Sequence, residues 1–132
     1  MDFSLSCYAE LDCISNFSFL TGASHPEELI ERAAALGYEA LALSDECSLA
    51  GVVRAHQEAQ RRNLHLIVGS RFRLEDGLQI IVLACNLNGY GNLSETITLA
   101  RRRSPKGSYR LSLADLTEPS PPFTHLRGLP DC

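Results

Sequence analysis

Short apolar runs alternate with amphipathic stretches along the chain, and the change in period marks out its elements. Residues 8–15 alternate around Leu11 and Cys13 and predict a first strand, followed by an aromatic-rich connection through Phe17, Phe19 and Leu20. Ser24 and Glu27 are spaced as a capping box, in which the Ser oxygen takes an amide three residues on and the Glu reaches back, so a helix is expected to start there. Leu29, Ile30, Ala33, Ala34 and Leu36 supply its apolar stripe, and Gly37 suits the left-handed residue that closes it. Residues 40–43 are continuously apolar, the pattern of a strand covered on both faces, and run into the polar group Ser44, Asp45, Glu46. Ser48 is placed to cap a second helix with Leu49, Val52, Val53 and His56 on one face, and Asn63 is placed to stop it.

Residues 64–68 read as a third strand that Phe72 and Leu74 extend to the turn Glu75-Asp76-Gly77. Asp-Gly between apolar runs signals a hairpin, whose second arm is residues 78–84. A loop rich in Gly and Asn, residues 86–92, then leads to a third helix expected from about Asn92, which has Glu95 three positions on. Leu93, Ile97, Leu99 and Ala100 form its apolar side, and it ends in Arg101, Arg102 and Arg103. From Ser104 the pattern is irregular, with a short apolar segment at residues 111–116 and a linker-like stretch at residues 118–122. The domain reading is therefore one unit over residues 1–132, with a flexible start at residues 1–7 and an irregular, truncated end over residues 104–132.

Strands and helices in short alternation predict parallel strands joined by right-handed crossovers, the α/β class. In barrel versions of this class the chemistry gathers in loops after the C-terminal ends of strands. Residues 12–21, 44–48 and 69–71 are then the ones to inspect.

Composition narrows the picture. A chain of 132 residues, 45% hydrophobic and 21% charged, is that of a globular protein about one domain long. Its longest apolar stretches fall far short of the roughly 20 residues that span a bilayer, and residues 1–7 hold an Asp and no Lys or Arg, unlike a secretion signal. No membrane partner and a cytoplasmic location are expected. Five cysteines without a C-x-x-C pair fit neither a disulfide framework nor a zinc knuckle, so reduced thiols are expected, with Cys13 and Cys85 as small buried apolar residues. The net charge of −4 divides into ten acids against two bases in residues 1–60 and six against ten beyond. Arg101, Arg102, Arg103, Lys106 and Arg110 could meet phosphate, or could be a solvated helix end, which favours cations. His56 has no acidic or His partner at helical spacing and reads as an ordinary helix residue.

The run from Tyr8 through Asp12, Ile14, Phe17, Thr21 and Gly22 to Leu29 resembles the opening of the PHP (polymerase and histidinol phosphatase) domain of bacterial C-family DNA polymerases, in its error-prone branch. Residues 45–56, beginning Asp-Glu-Cys-Ser-Leu-Ala-Gly, are similar to that branch's second motif, and residues 68–77 to its third. Residues 88–93, the arginine run and residues 125–132 extend the likeness over nearly the whole chain. The resemblance implies a partial PHP-type distorted (β/α)7 barrel, roughly its first half, cut from the N-terminal part of a larger fold. It also implies a cytoplasmic polymerase that copies past damaged template with palm carboxylates and magnesium, none of which this chain contains. Partners would be the remainder of the polymerase chain, DNA and mutagenesis accessory proteins.

Active PHP proteins hold two or three transition metals on His, Asp and Glu side chains at strand ends, where they activate water against a phosphoester. The resemblance puts Asp12 and Ile14 at the first motif's two histidines, and Ile14 has no lone pair to offer. Thr21, a weak ligand, falls where metal-bearing relatives often carry Asp. Glu46, next to Asp45, replaces the second motif's histidine. Arg71 replaces the third motif's glutamate, and a guanidinium accepts nothing and repels cations. Asp12, Asp45 and Glu46 are the residual metal candidates, and Arg71 is placed to neutralise one of them by a charge-assisted pair.

The expectation is a structural module with a degenerate metal site, inactive alone, with no resident cofactor. Residual zinc or manganese would mark the other reading, a free-standing metal-dependent phosphoesterase. A nonfunctional remnant with an open sheet edge is a third reading.

Overall fold

A computed structural model describes residues 7–117. Every residue of the strand Ala40–Leu43 is buried, as its unbroken apolar run predicts. Around it the elements follow in the order β1 (Ala9–Cys13), α1 (Pro26–Ala35), β2 (Ala40–Leu43), α2 (Val52–Arg62), β3 (His65–Arg73), β4 (Gln79–Leu83), α3 (Leu87–Arg102) and α4 (Leu113–Thr117). The strands form one sheet in the order β1-β2-β3-β4.

β1 and β2 are parallel, in register at Ala9 with Ala40 and Glu10 with Leu41, and an irregularity follows before Cys13 meets Leu43. β2 and β3 are also parallel, from Ala40 with His65 to Leu43 with Val68. β3 outruns β2 and pairs antiparallel with β4, from Gly69 with Leu83 to Arg73 with Gln79, the hairpin that Asp-Gly announced. Gly69 sits where the two ladders meet; a Cβ there would come 2.7 Å from Leu83 Cδ2 and 2.9 Å from the Val82 carbonyl oxygen.

α1 begins one residue-step later than the Ser24 spacing suggests. Pro26 takes the first helical position, where its missing N–H costs nothing, and a residue before proline is driven to extended backbone. His25 is accordingly the cap residue, at φ −65° and ψ 150°, and its N–H donates to Glu28 Oε2 at 2.8 Å. Leu36, assigned to the apolar stripe, is exposed. α2 buries Val52, Ala55 and Ala59 and leaves Val53 and His56 exposed, because the helix starts at Val52 rather than beside Ser48 and two alanines let it approach α1. Asn63 ends it in the left-handed conformation, φ 53°.

α3 departs most from expectation. It starts at Leu87, five residues before Asn92, and runs through Gly89 and Gly91. The Asn86 side chain accepts the Gly89 N–H at 2.8 Å, so a strong N-cap outweighs the helix-weakening glycines that suggested a loop.

Two cores result. Ile30, Ala33, Leu41, Leu43, Ala55, Ala59 and Leu64 pack between the sheet and the α1/α2 pair. Cys47, Phe72, Leu74, Leu93, Ala100 and Leu111 pack where α3 covers the β3–β4 hairpin. Within residues 104–117, expected to be irregular, Leu111 is fully buried and α4 forms. The expected flexible start up to residue 6, the linker-like stretch 118–122 and the matches at residues 125–132 lie outside the described residues.

Candidate functional site

β1 and β2 end side by side, so the loops that follow them are built against one another. Asp45, next but one after β2, is 1% exposed, and its carboxylate turns into the β1–α1 loop. Oδ1 accepts the Ser15 N–H at 2.7 Å and the Ser18 hydroxyl at 2.8 Å, and Oδ2 accepts the Ser15 hydroxyl at 2.7 Å. Both oxygens are thus engaged by donors of one loop, which replace the water that burial removes. The loop is tight elsewhere too: Gly22 lies where a Cβ would come 2.0 Å from the Ser15 carbonyl oxygen.

Asp12, at the irregular end of β1, faces another way. Its Oδ1 accepts the Ser44 hydroxyl at 2.9 Å and pairs with the Arg71 guanidinium, which reaches it from β3 across the end of β2. The arginine is the more enclosed partner, with its side chain 23% exposed against 46% for Asp12. A shallow pocket of about 220 Å³ beside the pair is lined by Asp12, Arg71, Gln79, Ile80 and Ile81. Arg71 also fixes the loop through its backbone: its N–H donates to the Asp45 carbonyl at 3.0 Å, and its carbonyl accepts the Cys47 N–H at 2.9 Å.

Glu46 faces a third way, toward a residue the sequence reading did not single out. Its Oε1 accepts the Tyr109 hydroxyl, which in turn accepts the Arg73 N–H at 2.7 Å. Burial, with the Glu46 hydrogen bond second, pushes the Tyr109 hydroxyl up to about 12. Arg101, at the end of α3, lies 5.3 Å from the Tyr109 ring centroid and donates to the Cys47 carbonyl at 3.2 Å. Cys47 itself holds a positive φ of 44° and is buried. Burial raises its thiol and that of Cys13 to about 11, so neither is poised as a nucleophile.

The candidate residues are therefore neighbours along the strand ends with separate partners: Asp45 with Ser15 and Ser18, Asp12 with Ser44 and Arg71, Glu46 with Tyr109. Among the described residues no group of three or more His, Cys, Asp and Glu side chains is gathered as a metal ion requires. Ile14 is half-buried with its Cγ2 toward Gly22, and Thr21 is exposed in the turn after Ser18. A Tyr 63 positions away from Glu46 leaves no local signal in the sequence.

Three members of the arginine cluster have partners within the chain, although only Arg101 is partly buried. Arg101 binds loop carbonyls, Arg103 pairs with Asp115 at 2.6 Å and Arg110 with Glu75 at 3.0 Å. Cys7, Cys13 and Cys47 are free thiols, and Cys85 is exposed, against the expectation of a small buried residue. No described helix is long and apolar enough to cross a membrane.

Parallel strands with helical crossovers, a hairpin appended to the third, and polar residues clustered beyond the strand ends define an α/β half-barrel, and the PHP domain model matches residues 10–119. The chain belongs to the PHP domain family. Its curated relatives include the error-prone DNA polymerase of Bordetella parapertussis, 61% identical over 130 residues, and that of Dechloromonas aromatica, 62% identical over 129. These alignments cover 95% and 98% of this chain and 12% of each polymerase, so the chain spans about an eighth of their length. Among solved structures, an amidohydrolase from Chromobacterium violaceum with bound sulfate and no metal matches with a TM-score of 0.54 at 28% identity, over 72% of this chain and 36% of that one.

Proposed function

We propose that this chain is the PHP portion of an error-prone DNA polymerase, acting in the cytoplasm in DNA repair and translesion synthesis, and that within it the PHP portion is a structural module with a degenerate metal site. Identity above 60% to two such polymerases supports the first part. The partners on this reading are the rest of the polymerase polypeptide, DNA and mutagenesis accessory proteins. Nucleotide transfer belongs to that remainder.

One observation carries the second part: the Arg71 guanidinium occupies Asp12, the ligand position best preserved in the first motif. A fixed cation at bonding distance from a carboxylate competes with any mobile cation for the same charge. The other two candidates fit a metal no better. Asp45 has both oxygens engaged by serine donors, and Glu46 accepts from Tyr109. A catalytic metal needs about three protein ligands and an open position, and these side chains offer neither.

Metal analysis of the purified chain tests this. Less than one equivalent of zinc, manganese or magnesium is expected, with no chelator-sensitive hydrolysis of a phosphoester. Stoichiometric manganese or zinc, together with chelator-sensitive phosphoesterase activity, would replace the structural reading with that of a free-standing metal-dependent phosphoesterase.

A further inference from the structure

The β1–α1 loop presents two large apolar side chains to solvent, Phe19 at 84% and Leu20 at 93% exposure, with Phe17 at 38% beside them. Scattered apolar residues on a surface need no explanation, but these are adjacent and carried outward by one hydrogen-bonded turn. Leu20 sits at φ 63°, a left-handed conformation that a leucine adopts only when its surroundings impose it. The imposing contacts are visible. The Ser18 carbonyl accepts the N–H groups of Thr21 and Gly22, both at 3.0 Å, closing the turn that carries Phe19 and Leu20. Ser18 is itself fixed at both its neighbours in space, donating to Asp45 and accepting the Glu46 N–H at 2.9 Å. Phe17 is fixed from the other side, with the Arg54 guanidinium 5.8 Å from its ring centroid. A loop free to move would fold these side chains down; this one is braced by a buried carboxylate so that they stay out.

We propose that residues 17–20 are a preformed apolar plug, which docks into a pocket on the part of the polymerase polypeptide that lies outside this segment. The inference rests on the polymerase reading above. That reading supplies the occupant, since about seven-eighths of the length of the polymerase relatives is polypeptide this chain does not contain. A pocket that is apolar at its base complements the exposed Phe19 and Leu20. Preorganisation matters to the outcome, because a plug already in its bound shape loses little freedom on docking.

The test uses this 132-residue chain and the Dechloromonas aromatica error-prone polymerase from which the matching segment has been removed. Binding is measured by interferometry for the unaltered chain, for the double variant Phe19→Ser/Leu20→Ser, and for Leu20→Asn. Asn tolerates a left-handed residue, so the last variant keeps the loop and lacks the apolar group. The unaltered chain binds, and each variant binds about tenfold or more weakly with an unchanged melting temperature, as for loss of a buried anchor. Equal binding by the variants overturns the plug while leaving the polymerase reading in place. Absence of binding by the unaltered chain overturns both. Self-association of the chain that the variants abolish overturns the inference in favour of a second copy as occupant.

Discussion

A carboxylate at 1% exposure is tolerated only where donors replace its lost water, and three donors from Ser15 and Ser18 do so for Asp45. Asp45→Asn keeps the shape but turns an amide toward those donors, so folding stability should fall by about 1–3 kcal/mol, read as a lower denaturation midpoint. A change below about 0.5 kcal/mol would mean that the carboxylate does not anchor the loop. Tyr109 offers a test by pH. Its hydroxyl is raised to about 12 by burial and by Glu46, so the folded state favours the protonated phenol. The stability from that preference is complete below the ordinary tyrosine value near 10 and is lost as pH rises through about 12. Ultraviolet titration of the phenolate should show one tyrosine ionising near the upper end of that window, and Tyr109→Phe should remove it. None of these pairings is legible in the sequence. Asp12 and Arg71 are 59 positions apart and Glu46 and Tyr109 are 63 apart, so only the fold decides that they meet. What the sequence did carry was the chemistry of each site residue, notably that an arginine at position 71 would seek a carboxylate.

At the scale of elements, the pattern succeeded where one force dominated. The four apolar residues of β2 can be satisfied only in an interior strand, and Asp-Gly admits few connections other than the β3–β4 hairpin, whose Gly77 has a φ of 92°. It failed where local signals conflicted, at residues 86–92. Two glycines argued for a loop, while Asn86 offered a cap whose effect is visible only once its side chain is seen to accept the Gly89 N–H. The conflict predicts opposite outcomes for two substitutions. Asn86→Ala removes the cap and should cost about 1 kcal/mol, with faster hydrogen exchange at residues 89–91. Gly91→Ala should instead stabilise the chain by about 0.5–1 kcal/mol, because a Cβ there meets no atom within 4 Å and alanine is the better helix former. Were Gly91→Ala destabilising, the first turns of α3 would not be helical in solution.

At the scale of the molecule, two hydrophobic cores share one sheet, and β3 is the strand common to both. Leu66 packs against the core under α1 and α2, whereas Val68 and Phe72, a few residues on, belong to the core under α3. Gly69, close against Leu83, lies between them where parallel pairing gives way to antiparallel. The strand-end loops couple the same two halves: Asp45 and Glu46 hang from β2, Arg71 crosses from β3 to β1, and Arg101 ties α3 to the Cys47 carbonyl. Because the cores are joined through backbone as well as through these side chains, the chain should unfold in one transition. Ile30 and Phe72 are each fully buried, one in each core, and truncating either to alanine should cost about 2–5 kcal/mol. Both variants should lower a single midpoint seen alike by helical circular dichroism and by tyrosine fluorescence. If Phe72→Ala instead released the tyrosine signal of Tyr109 well before the helical signal fell, the hairpin and α3 would be an independent unit. The Arg71 and Arg101 links would then be too weak to hold the strand ends together, and the ion pair at Asp12 would have to be explained locally, by its neutralising effect on the candidate site.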